Sequence, residues 1–229
     1  MATMPAMPNS GQSKAVQPDA TAHAWFATQP GRAVLDSEAQ MIEHALGERP
    51  AQPWLWLAPT LSADQDAKPA SRGRGLRLTS DGPEWRGAVR CGLPLPIASE
   101  SFGTVVLQHV IRPGAASELL LDECARILSP SGVLWLFALN PLAPYRWRWR
   151  HSGVKASEPL TWRRRLRTAG LAPAPISQGI GPRWSVATDS GTQDGPGLRA
   201  AYALRADKRT IPLTPIRNRG LRLEGVSTA

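Results

Sequence analysis

The stretch from Leu93 to Pro141 constrains the fold more than any other part of the chain. It reads LPLPIASESFGTVVLQHVIRPGAASELLLDECARILSPSGVLWLFALNP. Thr104–Ile111 is a short β-branched apolar run, the pattern of a strand buried on both faces. The next segment changes period: Leu120, Cys124 and Ile127 recur at helical spacing, with Leu121, Ala125 and Leu128 beside them. Ser117 is placed to cap this helix, and Glu118 falls in its first turn, where negative charge suits the positive helix end. Ser129-Pro130-Ser131-Gly132 reads as the stop. Val133–Leu139 is a second buried run. Strand, helix and strand in this length make a βαβ unit, which predicts a parallel sheet with a right-handed crossover.

The remaining elements extend that unit on both sides. Residues 1–23 are rich in Pro, Ala and Ser without periodicity and read as a disordered tail, residues 24–210 as one α/β domain, and residues 211–229 as a basic flexible tail. Leu35, Ala39, Ile42 and Leu46 predict an amphipathic helix over Ala33–Leu46, ended by Gly47. Trp54–Ala58, between Pro53 and Pro59, is the first strand. Leu76–Thr79 is a weak second, followed by a turn at Ser80-Asp81-Gly82-Pro83, and Ala88–Cys91 a third. No helical pattern appears between Trp54 and Cys91, so the first half of the sheet is abbreviated. Beyond Pro141, Ser157–Ala169 predicts a helix with Trp162, Leu166 and Ala169 on one face and Gly170 at its end. Trp184–Ala187 and Ala200–Leu204 read as a closing antiparallel pair, with Thr188–Gly197 as the loop between them.

Composition removes several classes. At 229 residues the chain suits one domain with extensions. No apolar run reaches the ~18 residues of a membrane helix, and the N-terminal stretch has no apolar core of a secretory signal. Cys91 and Cys124, with no CxxC, read as reduced thiols of a cytoplasmic protein without a metal site. The net charge of +9 is uneven: residues 1–104 hold 9 basic against 10 acidic residues, and residues 105–229 hold 18 against 8. That asymmetry invites a polyanion partner, or it reflects arginine-rich composition, since 23 of 27 basic residues are Arg.

The wording of the central stretch adds a resemblance. Leu95-Pro96-Ile97, Ser101-Phe102-Gly103-Thr104-Val105, Glu123 to Arg126 to Leu128, and Ser131-Gly132 together resemble the second half of a class I S-adenosylmethionine (SAM)-dependent methyltransferase of the type 11 group. Asn140-Pro141 and Lys208-Arg209-Thr210-Ile211-Pro212-Leu213-Thr214 resemble a small proteobacterial branch of it. The resemblance implies a Rossmann-like, mostly parallel sheet and methyl transfer from SAM to an acceptor. It places cofactor contacts beyond the carboxyl ends of the strands.

Carried over residue by residue, it implies that the turn at Ala58 and Pro59 faces the methionine part, where the family uses a Gly-rich turn. Here no glycine occurs between Gly47 and Gly73. Asp81 falls where an acid holds the ribose hydroxyls, or is a turn aspartate. Cys91, with Gly92 and Leu93, falls where the family flanks adenine, or Cys91 is a buried small hydrophobe. Gly103 replaces an aspartate. His109, ending its strand, is the catalytic expectation as base or orienter, or a hydrogen-bonded rim histidine. The altered positions also suit a non-catalytic relative that binds a partner. Nucleic acid is that expected partner, through Arg146, Trp147, Arg148, Trp149, Arg150, Arg163, Arg164 and Arg165, because Arg with Trp grips phosphates and stacks on bases. The alternatives there are a solvated helix face and a loop whose Trp147 and Trp149 turn inward.

Overall fold

A computed structural model describes residues 24–59, 74–81, 84–111 and 114–209, so the expected tails at 1–23 and 211–229 lie outside the described residues. The order is α1 (Gln29–Gly47), β1 (Trp54–Ala58), β2 (Gly75–Asp81), β3 (Glu84–Gly87), β4 (Arg90–Cys91), β5 (Phe102–Gln108), α2 (Ala115–Ile127) and β6 (Leu128–Leu139). A 3-10 turn (Pro144–Arg148), α3 (Pro159–Thr168), β7 (Ala172–Pro173), β8 (Gln178–Ile180), β9 (Gln193–Asp194) and β10 (Ala201–Asp207) follow. The strands form one sheet in the order β4-β3-β2-β1-β5-β6-β10-β8-β9, with β7 beside β10. Strands β2, β1, β5 and β6 are mutually parallel, and β10 closes antiparallel against β6.

The period-2 alternation of the central strands sorts the core into two layers. Trp54, Val106, Val133, Trp135 and Phe137 pack with Ile42, Ala45 and Leu46 of α1. Leu55, Leu57, Val105, Leu107, Leu134 and Leu136 pack on the other face with Leu121, Cys124 and Ile127 of α2 and Trp162 and Leu166 of α3. Helices on both faces are what a parallel sheet requires. This is the expected α/β architecture, and its abbreviated half is β2-β3-β4, an antiparallel meander.

Several boundaries differ from the expectation. Helix α1 starts earlier, because Thr28 Oγ1 accepts from Gly31 N at 3.4 Å and Pro30 sits in the first turn. Its buried stripe uses Glu38 where Ala39 was expected; Ala39 is exposed. Ser117 is not the cap of α2: Gly114 holds that position, and Ser117 is buried inside the first turn. Helix α2 ends at Ile127, before the Ser-Pro-Ser-Gly stop, because Leu128 is already extended and pairs with Phe102. Strand β3 was not expected, since Trp85 is its one buried position and gives no alternation. Trp184–Ala187 is not a strand; Trp184 is 67% exposed, and the short β8 pairs with β10 instead. The 188–197 segment therefore contains β9, which pairs back on β8.

Gly75 meets the flat face of Trp54: a Cβ there would lie 1.9 Å from the indole Cε2. Gly75→Ala should lower stability by about 1–3 kcal/mol in thermal or urea unfolding, because the buried indole has no room to retreat. Gly47→Ala, where a Cβ meets nothing within 4 Å, should leave stability unchanged or raise it by up to about 1 kcal/mol.

Candidate functional site

Strand order reverses at β1, which has β2 on one side and β5 on the other. In an open α/β sheet that switch point opens a crevice beyond the carboxyl ends of the strands. The chain brings Ala58, Asp81, Gln108 and His109 to those ends, with Pro59 just past β1. Ala58 and Pro59 are both buried. Proline has no N–H to offer a ligand, and alanine keeps a Cβ against the backbone, so this turn cannot act as a glycine turn does. Asp81 ends β2 and pairs with Glu84 across the hairpin.

Cys91 lies farther out, on β4, with β3 and β2 between it and β1. It is buried in the same apolar cluster as Leu78, Trp85 and Leu95. Burial first, then the charge of Glu84, push its thiol pKa up. Gly92 follows in open space, and Leu93 is 38% exposed. Gly103, standing where an aspartate was expected, leaves room for Gln52: a Cβ there would lie 2.1 Å from Gln52 Oε1.

His109 sits just past β5 in the left-handed region, at φ 51°. Its N–H donates to Phe137 O at 3.0 Å, and its ring stacks on Phe26 with centroids 4.7 Å apart. His109 Nε2 lies 2.8 Å from Glu38 Oε1, while Gln108 Nε2 donates to Glu38 Oε2 at 2.8 Å. Trp56 Nε1 donates to Gln108 Oε1 at 3.2 Å, tying β1 into the same group. Glu38 is fully buried. A buried carboxylate survives only when its oxygens are hydrogen-bonded, and here both are. Sequence reasoning did not single out Glu38; the signal was an acid in the middle of an apolar helical stripe.

The E-x-x-R pattern also acquires a physical role. Glu123 Oε2 accepts the Leu95 N–H at 2.9 Å. Arg126 donates to Leu95 O at 3.1 Å and to Ile97 O at 2.8 Å, and pairs with Glu123 at 2.8 Å. Helix α2 thus clamps the Leu-Pro turn before β5. Asn140, at the end of β6, donates to Gly197 O and Arg199 O, both at 2.9 Å, and holds the segment that enters β10.

The basic constellation divides. Trp149 is buried and meets Trp25 edge-on at 5.6 Å, while Trp147 is 60% exposed with the Arg150 guanidinium 4.3 Å from its ring centroid. Trp147 and Trp149 therefore do not both turn inward, and they do not both face solvent. Arg163 is tied to Ala174 O at 3.1 Å, and Arg165 lies 3.9 Å from Glu118. Arg146, Arg148, Arg150 and Arg164 are exposed. Among the described residues no group of three or more His, Cys, Asp or Glu side chains could hold a metal ion, and no helix is long and apolar enough to cross a membrane.

The Arg126 hydrogen bond holds the Glu123 carboxyl below the usual carboxylate range; burial opposes it and the Leu95 N–H adds to it. A lowered acid contributes stability that is complete above its unfolded value and is lost as pH falls through the folded one. Glu123→Gln should therefore cost about 1–3 kcal/mol at pH 7. The gap from the unsubstituted protein should close in urea melts at acid pH.

No protein-family model matches the chain, and no curated protein matches it. Solved structures do. A SAM-dependent methyltransferase from Thermotoga maritima is similar at 16% identity over 81% of this chain and 94% of its own, with a TM-score of 0.56. A methyltransferase from Haloferax volcanii, solved with the Trm112 methyltransferase activator, is similar at 17% identity over 83% and 98%, with a TM-score of 0.50. At this identity the likeness establishes architecture: the chain has the Rossmann-like fold of class I methyltransferases.

Proposed function

We propose that this chain binds SAM and transfers its methyl group to an acceptor, as a type 11-like methyltransferase with an atypical cofactor crevice. The observation that supports this most is the strand reversal at β1, with Asp81 ending the neighbouring β2, in a fold shared with methyltransferases over most of the chain. SAM supplies an electrophilic methyl group, so the protein's task is binding and alignment. The residues fit the nucleoside half of that molecule. Asp81 accepts hydrogen bonds from the ribose hydroxyls. Gly92 has open space beside it, and with Leu93 it flanks the adenine, Cys91 backing them from the core. Ala58 and Pro59 line the methionine side without donating the amides of a glycine turn. His109 acts as base or orienter for the acceptor, and Glu38 fixes its ring. Because Phe26 covers that ring, the acceptor takes the place of this cover. The two free, buried cysteines support a cytoplasmic setting.

Titration calorimetry with SAM and S-adenosylhomocysteine should give micromolar binding. No heat and no thermal shift at millimolar ligand would remove the reading. If an acceptor is turned over, His109→Ala should lower turnover by about 10²–10⁴-fold with a smaller effect on unfolding. Equal losses in both would make the histidine structural.

A second reading, supported by the exposed Trp147 between arginines, is binding of single-stranded nucleic acid at the Pro144–Arg148 turn. Trp147→Ala should then weaken single strands by about 1–3 kcal/mol, with Trp149→Asn acting only through stability. Filter binding at low and moderate salt measures it. No retention at low salt would exclude it.

A further inference from the structure

A cavity of about 400 Å³ opens between the amino end of α3, the Pro175–Ser177 turn and the Gly195-Pro196 segment that follows β9. That volume is in the range of small-ligand sites. Its wall carries Leu142, Leu160 and Ile176, which are 65%, 49% and 56% exposed. Large apolar side chains gathered in water around one concavity mark a binding surface.

The polar groups in this cavity are specific. Ser177 lines it and is only 2% exposed, so its hydroxyl stands at the cavity wall as a group that can donate to a ligand. Arg163 lines the same cavity. Its Nε donates to Ala174 O at 3.1 Å, which fixes the guanidinium plane. Among the described residues its terminal nitrogens meet no carboxylate. The amino end of α3 is also there: Glu158 at the cap position makes no side-chain capping bond, so the first-turn N–H groups add positive potential. Glu158 itself is exposed at the mouth.

We propose that this cavity binds a monocarboxylate with an apolar tail. The carboxylate lies on the Arg163 guanidinium, the planar fork that suits it, and on the Ser177 hydroxyl. The tail covers Leu142, Leu160 and Ile176. Glu158 at the mouth repels a second negative charge, so a dicarboxylate of the same length is excluded. This binding does not depend on methyl transfer or on SAM.

The test is calorimetry on the full chain with octanoate, octanol, octylamine and octanedioate as probes. Octanoate should bind saturably, one per chain, and at least tenfold more tightly than each of the others. Arg163→Gln should lose at least tenfold in octanoate affinity, Ser177→Ala several-fold, and Glu158→Gln should bring octanedioate toward octanoate. Ile176→Ser, at an exposed position that folding does not need, should weaken octanoate and octanol alike and keeps the test open should Arg163→Gln fail to fold. Equal affinity for octanoate and octylamine, wild-type affinity in folded Arg163→Gln, or no saturable octanoate binding at millimolar concentration would overturn the proposal.

Discussion

Strand β5 is the constraint on which the rest depends. All seven residues of Phe102–Gln108 are buried, and the strand pairs in parallel with β1 on one side and β6 on the other. An interior strand of this kind has no exposed edge to solvate. Its backbone groups must be satisfied by both neighbours, and both its faces must be covered by helices. Those two requirements fix the order of the sheet centre and seat α1 and α2 on opposite faces. They also place the chain reversal beside β1, the position at which open α/β sheets take their ligands.

A second constraint is polar. Glu38 lies in the layer between α1 and the sheet, where an unpaired charge would be prohibitive. Its two oxygens meet Gln108 and His109, and Gln108 passes the connection to Trp56. Three elements are thereby held in one register: a shift of α1 by a single turn would bury the carboxylate without partners. Apolar contacts alone tolerate such slips better, because hydrophobic attraction is non-directional. The left-handed backbone of His109 belongs to the same arrangement. Histidine tolerates that region better than a β-branched residue does, and the conformation turns its N–H toward Phe137 O while the ring stays against Glu38.

What the sequence made legible follows from how many residues report each feature. Val133–Leu139 is a run in which every residue is buried, so the apolar pattern finds it without help from any one position. Helix α3 declares itself through Trp162 and Leu166, four apart, and the glycine after it. Features reported by one residue were lost. Strand β3 rests on Trp85, β8 is three residues long, and Ala39 outweighed Glu38 because a charge is ordinarily assigned to solvent. The rim position of His109 was readable from its strand, but its partner stands 71 residues away in sequence. Two lone polar residues so far apart carry no mutual period.

The same distinction governs the crevice. A glycine turn after the first strand serves a ligand through backbone amides, so its absence changes the kind of recognition available rather than the room for it. At Ala58-Pro59 one amide is gone and a Cβ is present, and both residues are spent on the buried sheet end. On the reading proposed above, recognition at this rim passes to side chains. Asp81 ends the neighbouring strand, and Gln108 and His109 are hydrogen-bonded to Glu38. Backbone donors are held by the fold itself, while a carboxylate must be ordered by its own neighbours at an entropic cost. The proposed binding of SAM at this rim therefore asks more of side chains than of backbone amides.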